Sequence, residues 1–250
     1  MENTPTKPYQ FLSGNGLKLI AITTMFLDHI GAAILENPAL YDKLGASSLE
    51  VDVFFNDPRL TWLLVVDLIL RAIGRIAFPI FCFLLVEGFL HTRDLRRYAG
   101  RMLFFAVITE VPFDLAFSGS WFAPGYQNVY FTLFLGLLAM TVLRRFGDRS
   151  PLGFLLALGC AGVAELARVD YGAFGVVLIL IFYLFRERKV ARTVVGCVAT
   201  CWELTAPLAF LPIAAYNGQR GRWNGKYFFY LFYPGHILLL YLLRLALLGS

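Results

Sequence analysis

Charged side chains are scarce in this 250-residue chain. Asp, Glu, Lys and Arg make up only 16% of it, against 58% hydrophobic residues and 24 Phe. An average soluble domain carries about 25% charged residues, so this composition excludes one and predicts a membrane protein. Linkers, low-complexity tracts and internal repeats are missing as well. We therefore expect a single domain over 17–250, preceded by a short polar tail at 1–16.

The chain also lacks the motifs of metal and redox sites. Its four cysteines show no CxxC spacing, and its three histidines form no HExxH motif. We accordingly expect no bound metal. The expected partners are the lipid bilayer and small-molecule substrates, not nucleic acid.

Long apolar runs fill most of the sequence. They recur at about the 20-residue length that crosses a bilayer, and they predict an all-α polytopic membrane protein with about eight transmembrane helices around a polar cavity. The predicted helices cover 17–35, 60–91, 99–117, 128–143, 152–167, 171–185, 193–215 and 227–248. The second is too long for one straight span, and Gly74 and Pro79 predict a break inside it.

Basic residues in the short loops predict the orientation. The loops at 93–101, 144–149 and 186–192 are rich in Arg and Lys, and eight crossings place all three on one side. By the positive-inside rule that side is cytoplasmic, and both termini are expected there. The loop at 217–226 is also basic, yet eight crossings place it outside. Either its cations serve a functional site, or the preceding segment is re-entrant and the number of spans is not eight.

Thirteen ionisable residues fall in or near the predicted spans, where each costs about 2.5 to 3.5 kcal/mol at a helix centre. Three pairs are four residues apart and so share a helix face. These pairs are Arg71 with Arg75, Glu87 with His91, and Glu110 with Asp114. Two interpretations stay open: a structural ion-pair network, or a cavity that binds a charged substrate.

The first span contains Asp28 and His29 side by side. Helix neighbours point about 100° apart, so each needs a different partner. Lys18 lies on the His29 face, about 16 Å away along the axis. A cation at the helix start and an imidazole within the membrane fit a long anionic cofactor and general-base chemistry, although a structural histidine is an equal alternative.

Six segments together resemble the signature blocks of the TraX family, in order along nearly the whole chain. They are LKLIAITTMFLDHIG at 17–31, RAIGRIAFPIFCFLLVEGFLHTRDLRRYAGR at 71–101, ITEVPFDLAFS at 108–118, QNVYFTLFLGL at 127–137, DYGAFGV at 170–176 and YNGQRGRWNGKYFFYLFYPGHILLLYLL at 216–243. The family is named for the conjugation protein that N-acetylates F-type pilin.

The resemblance implies a cytoplasmic-membrane acetyltransferase that takes its acetyl group from acetyl-CoA. It implies His29 as the catalytic base, with Asp28 or another carboxylate orienting it and Lys18 near the donor. In the mechanism expected from this, Arg71 or Arg75 helps to hold the donor phosphates or the charge that develops in the transition state. The acceptor is an amine or hydroxyl of a pilin-like peptide, a lipid or a sugar.

The last block gives the basic loop a use under the same resemblance. Asn217, Arg220, Lys226 and His236 are expected to line the acceptor side, with His236 as a second candidate base. An aromatic belt at the membrane interface is the alternative. Polar residues of the other blocks complete the predicted substrate-binding set: Glu87, Glu110, Asp114, Asn128, Asp170 and Tyr171.

Two other classes of protein remain open. A secondary transporter of a small charged substrate also needs buried charges and a broken helix, although such folds usually show an internal repeat. A metal-dependent membrane hydrolase would use Glu87, His91, Glu110 and Asp114 as ligands. Transport without a covalent product would indicate the first class, and stoichiometric metal the second.

Overall fold

The computed structural model describes residues 9–45, 57–223 and 225–249, and this part of the chain is helical with no strand. The long helices are α1 Gly14–Ile30, continued by a π-helical turn Gly31–Leu35, α3 Pro58–Gly74, α4 Ala77–His91, α5 Leu95–Ser118, α6 Val129–Phe146, α7 Pro151–Leu166, α8 Gly172–Leu184, α9 Lys189–Thr200 and α11 Lys226–Leu248. Two short helices, α2 Pro38–Lys43 and α10 Phe210–Ala214, complete the set.

Polar residues just before the apolar runs start most of these helices. Ser13, Asp94, Asn128 and Ser150 each place a side-chain oxygen on a backbone N–H of the first turn of α1, α5, α6 and α7. Such a cap satisfies one of the donors that a helix start leaves unpaired. This chemistry sets the boundaries that the hydrophobic pattern alone left uncertain.

Four helical segments are long and apolar enough to cross a membrane: Gly14–Leu35, Pro58–His91, Val129–Phe146 and Tyr227–Leu248. Pro151–Leu166 and Gly172–Leu184 are shorter apolar helices. The prediction of a helical membrane protein is therefore confirmed, whereas the count of eight spans is not.

The predicted break in the second apolar segment is confirmed. Helix α3 ends at Gly74 and α4 begins at Ala77. Pro79 lies in the first turn of α4, where its missing N–H removes no helical hydrogen bond. A Cβ on Gly74 would lie 2.2 Å from the Asp28 Cβ. Glycine at this position therefore lets α3 approach α1 closely, directly beside Asp28.

The three basic loops lie at one end of the bundle, as predicted. Arg144 at the end of α6 stacks over Phe89 of α4 at 4.8 Å, and Phe89 contacts Tyr183 of α8 edge-on. The Tyr183 hydroxyl donates to Asp148, which also pairs with Arg186 at 2.6 Å. We call this the basic end.

The described residues of the basic loop at 217–226 also lie at the basic end, which agrees with the re-entrant alternative. The backbone N–H of Gly14 donates to the Gln219 carbonyl at 2.7 Å, and that of Asn15 donates to the Arg220 carbonyl at 3.0 Å. These bonds join the loop to the start of α1. The span predicted over 193–215 does not form, and this failure explains the loop's position.

That segment is a re-entrant hairpin. Helix α9 leaves the basic end and stops at Thr200; two 3₁₀ turns, Cys201–Glu203 and Ala206–Ala209, follow, and α10 returns the chain to Tyr216. Pro207, which has no N–H, and Leu204, with a φ of 43°, prevent a continuous helix. The Thr205 hydroxyl donates to the Ala72 carbonyl at 2.6 Å and holds the hairpin tip against α3.

The start of α1 and the end of α11 lie at opposite ends of the bundle. Lys43, which follows α1, donates its Nζ to the carbonyl of Leu247 at 2.7 Å. The loop before α6 joins this end, where Gln127 exchanges backbone hydrogen bonds with Arg168 and Asp170. The count of eight spans predicts both termini on one side, whereas the described helices begin and finish at opposite ends of the bundle because the hairpin returns to the basic end.

Candidate active site

A cavity of about 540 Å³ lies between α1, α3, α4, α5 and α11. We call it the histidine cavity. Six of the residues predicted from the sequence line it: Asp28, His29, Arg71, Arg75, Asp170 and Tyr171. Asp28 and His29 of α1 thus lie inside the bundle, in one cavity with Arg71 and Arg75.

His29 and His236 form a hydrogen-bonded pair beside this cavity. The His29 Nδ1 lies 2.6 Å from the His236 Nε2, and the ring planes differ by only 5°, as an in-plane N–H···N bond requires. The His236 Nδ1 lies 2.6 Å from the Phe232 carbonyl oxygen. Because a carbonyl can only accept, the His236 Nδ1 carries hydrogen, and in the uncharged pair its Nε2 accepts from His29.

This relay leaves the His29 Nε2 as an unprotonated nitrogen with no hydrogen bond to any described residue. Phe117 and Tyr233 flank the His29 ring, with centroids at 5.5 and 5.8 Å. Both nitrogens of His236 are engaged, so His29 is the histidine of the pair that can receive a proton from a substrate. The two candidate bases of the sequence are one unit with different roles.

Asp28 does not orient His29, contrary to expectation. Its Oδ2 pairs with the Arg71 Nη1 at 2.6 Å, and the Arg71 Nε pairs with Glu36 at 3.0 Å. The Asp28 Oδ1 is buried and has no hydrogen-bond partner among the described residues. Asp28 is therefore an acceptor facing a charged cluster, and the hydrogen-bond partner of His29 is His236.

Arg75 and Tyr171 form the far wall of the cavity. The Arg75 guanidinium contacts Glu203 of the re-entrant hairpin at 3.4 Å. The Tyr171 ring stacks on Phe78 with centroids 3.6 Å apart. Its φ of 62° is unusual for a residue with a side chain, and it turns the ring into the cavity at the start of α8.

Asp170 borders the cavity in the loop before α8. Its Oδ1 accepts from the Tyr126 hydroxyl at 2.7 Å, and its carbonyl accepts from Thr132. Burial raises the pKa of Asp170 above its ordinary value, with the Tyr126 hydrogen bond opposing the change. Burial first, and then the Asp170 charge, raise the pKa of Tyr126. The neutral tyrosine is thus kept as the donor.

Arg244 is a site residue that the sequence analysis missed. It is 5% exposed and lines the histidine cavity, where it donates to the carbonyls of Ala116 and Leu115 at 2.5 and 3.1 Å. Arg244 follows His236 by eight residues, about two helical turns, so the two side chains lie on nearly the same face of α11. This spacing could have identified Arg244 from the sequence. Glu36, Tyr126 and Tyr233 line the same cavity and were also missed.

A second cavity of about 500 Å³ lies at the basic end, and we call it the basic-end cavity. Lys18, Arg101 and Arg220 line it together with Glu87 and Tyr98. Lys18 is therefore separated from Arg71 and Arg75, so the expected donor site of these three residues is not assembled. Arg220 and His236, predicted to share the acceptor side, are likewise apart.

The other predicted residues have local partners. Asn128 caps α6 and donates to Glu110, and Asp114 accepts from the Ala123 N–H at 2.7 Å. The Asn217 side chain accepts from Gln219 within the loop. The Lys226 side chain lies outside the described part. Among described residues, no group of three His, Cys, Asp or Glu is placed to hold a metal ion.

The fold and cavities define a polytopic helical membrane protein with a buried, hydrogen-bonded histidine pair in a charged chamber. The profile of the TraX protein family matches residues 13–244, from the α1 cap to Arg244, and the chain belongs to this family. It is 30% identical over 254 residues to the probable fimbrial assembly protein FimC, serogroup H1, of Dichelobacter nodosus, covering 90% of this chain and 92% of that protein. No solved structure matches the chain.

Proposed function

We propose that this protein is an integral membrane acetyltransferase that moves an acetyl group from acetyl-CoA to an amine or hydroxyl acceptor. The observation that carries the proposal is the relay from the Phe232 carbonyl through His236 to His29. It presents one imidazole nitrogen as a base inside a chamber with paired cations. Family membership and the fimbrial relative support a pilin-related role.

The proposed step is direct attack of the acceptor on the thioester. As the acceptor nitrogen or oxygen bonds to the carbonyl carbon, the His29 Nε2 takes its proton, and His236 keeps the ring in the required tautomer. The C–S bond then breaks, and the CoA thiolate receives the proton from His29. The products are the acetylated acceptor and free CoA.

Charge develops on the thioester oxygen during this attack. Arg71 and Arg75 both line the histidine cavity and are held by Glu36, Asp28 and Glu203, so their guanidinium groups are fixed before substrate arrives. Preorganised cations of this kind stabilise an oxyanion without reorganisation. We assign them this role in place of binding donor phosphates.

The acceptor that best fits is the amino group of a pilin-like subunit. The relative's name refers to fimbrial assembly, and the resemblance described in the sequence analysis implies a pilin amine as one acceptor. The paired acids and bases of the chamber suit a peptide terminus better than a large apolar group. Lipid or sugar acceptors would appear as other labelled products in the test below.

We further propose seven passages through the cytoplasmic membrane, with the basic end inside. They are α1, the α3–α4 pair, α5, α6, α7, α8 and α11. The re-entrant hairpin at 189–216 replaces the eighth, and it brings Glu203 to Arg75 from the basic end.

Calorimetry with detergent-solubilised protein tests the donor, and mass spectrometry of peptides incubated with acetyl-CoA tests the transfer. His29→Ala should bind acetyl-CoA like the parent but lower kcat by about 10²- to 10⁴-fold, the usual contribution of a general base. Thr109→Ala, a buried change outside both cavities, is the matched control and should keep parental rates. Normal turnover by His29→Ala would refute the role, and absence of CoA binding would favour a transporter.

A further inference from the structure

One phenylalanine lines both cavities. Phe81 of α4 is part of the wall of the histidine cavity and of the basic-end cavity. Beside it, Tyr130 of the basic-end cavity meets Tyr233 of the histidine cavity edge-on, with centroids 5.1 Å apart. A thin aromatic partition, Phe81 with Tyr130 and Tyr233, therefore divides two adjoining chambers.

The two chambers reach opposite ends of the bundle. The basic-end cavity extends to Gly14 at the start of α1 and to Thr92 and Gly218 in the loops of the basic end. The histidine cavity extends to Asn37 and Pro38, which follow α1 at the other end. A molecule entering from one side of the membrane thus reaches only one face of the partition.

The chambers also differ in charge. Three cations, Lys18, Arg101 and Arg220, face the single carboxylate of Glu87 in the basic-end cavity. The Arg101 Nε is buried and has no hydrogen-bond partner in the described chain. This excess of cations suits phosphate groups. The flanking rings of Tyr98, Phe229 and Tyr230 offer surfaces for a base or an apolar arm.

In the histidine cavity the charges balance, and each cation already has an acidic or carbonyl partner. Its acidic residues are Asp28, Glu36 and Asp170, and its cations are Arg71, Arg75 and Arg244. Further phosphates there would compete with these partners. A small acceptor with one polar terminus can bind without displacing these ion-pair partners.

We propose that the donor and the acceptor enter from opposite sides of the membrane and meet at the Phe81 partition. The phosphates of acetyl-CoA lie in the basic-end cavity, and the acceptor reaches His29 through the other chamber. The distance from Lys18 to His29 along α1, about 16 Å, requires a donor with a long arm between phosphates and thioester, as coenzyme A has.

This inference rests on the proposed function and adds the side on which each substrate binds. As the acceptor–carbon bond forms and the C–S bond breaks at the partition, the acetyl group passes to the acceptor chamber. The thiolate takes its proton from His29 and leaves toward the basic end. An acetyl group thereby crosses the membrane without free acetyl-CoA crossing it.

Sealed inverted vesicles, with the basic end facing the medium, test the arrangement. Acetyl-CoA labelled in the acetyl group is added outside, and a pilin amino-terminal peptide with a free amine is either trapped inside or added outside. Only the trapped peptide should become labelled, whereas label in the outer peptide alone would overturn the inference. The same assay after the vesicles are dissolved in detergent distinguishes failure of the two-sided arrangement from failure of the proposed function. A solubilised enzyme that transfers no acetyl group refutes the proposed function itself.

Variants test the partition and the donor site. Phe81→Trp should bind free CoA like the parent in calorimetry but lower the transfer rate at least tenfold, while Phe104→Trp on the exposed face of α5 should change neither. If Phe81→Trp does not fold, charge variants decide instead. Lys18→Gln should raise the KM for acetyl-CoA about tenfold, the scale of one charge-assisted hydrogen bond. A larger rise for Arg75→Gln would place the donor in the histidine cavity and overturn the inference.

Discussion

Gly74→Ala tests the contact between α1 and α3 on which the charged chamber depends. The added Cβ would lie 2.2 Å from the Asp28 Cβ and 2.3 Å from its Oδ1. Since the Asp28 Cβ is fixed to its backbone, the helices must separate, and the 2.6 Å Asp28–Arg71 pair opens. Overpacking of this kind costs about 1 to 3 kcal/mol. At about 2 to 4 °C per kcal/mol, the melting temperature should fall by roughly 2 to 12 °C.

The assay is thermal unfolding in detergent together with the rate of acetyl transfer, which should also fall because Arg71 moves. Gly235→Ala is the matched control. It lies in α11 next to His236, but nothing is within 4 Å of its added Cβ, so helix propensity predicts a slight stabilisation of about 0.5 to 1 kcal/mol. If Gly74→Ala melts and turns over like the parent, the close approach of α1 and α3 is incorrect.

Three further predictions address the site and the topology. His236→Asn removes the acceptor for the His29 Nδ1–H, and we expect kcat to fall about tenfold, the value of one hydrogen bond, with a changed pH–rate profile; an unchanged profile would make His236 merely structural. Glu203→Gln weakens the contact with Arg75 and should lower the melting temperature by about 2 to 4 °C. An unchanged melting temperature would show that the Glu203–Arg75 contact does not stabilise the protein. In a cysteine-free background, Gly249→Cys and Arg149→Cys should react with an impermeant reagent from opposite sides of the membrane, whereas labelling from one side would restore an even number of crossings.

Part of the candidate site was predictable, because intramembrane charge is costly and therefore informative. Asp28, His29, Arg71 and Arg75 were selected on that ground, and the structure places all four in one cavity. Their catalytic roles stay predictions. Arg244 carries the same signal in an apolar helix and was overlooked.

The partners of these residues were not predictable, because they come from distant parts of the chain. His29 and His236 are 207 residues apart, and nothing local to either residue indicates the other. Asp28 was expected to orient His29 because it is adjacent in sequence, yet adjacent helical residues diverge by about 100°. The hydrogen-bond partner of His29 is instead a histidine on another helix.

The sequence by itself determined the class of protein, the break between α3 and α4, and the common end of the three basic loops. Composition, the positions of Gly and Pro, and the charge of the loops are local properties of the sequence. Their effects on helix boundaries and orientation do not depend on how the helices pack. Only the tertiary structure decided that 189–216 returns to its starting side, that Lys18 and His29 face different chambers, and that Phe81 separates them. These features depend on which helix faces pack together, and a uniformly apolar sequence does not specify that, because lipid and protein neighbours are equally acceptable to most of its side chains.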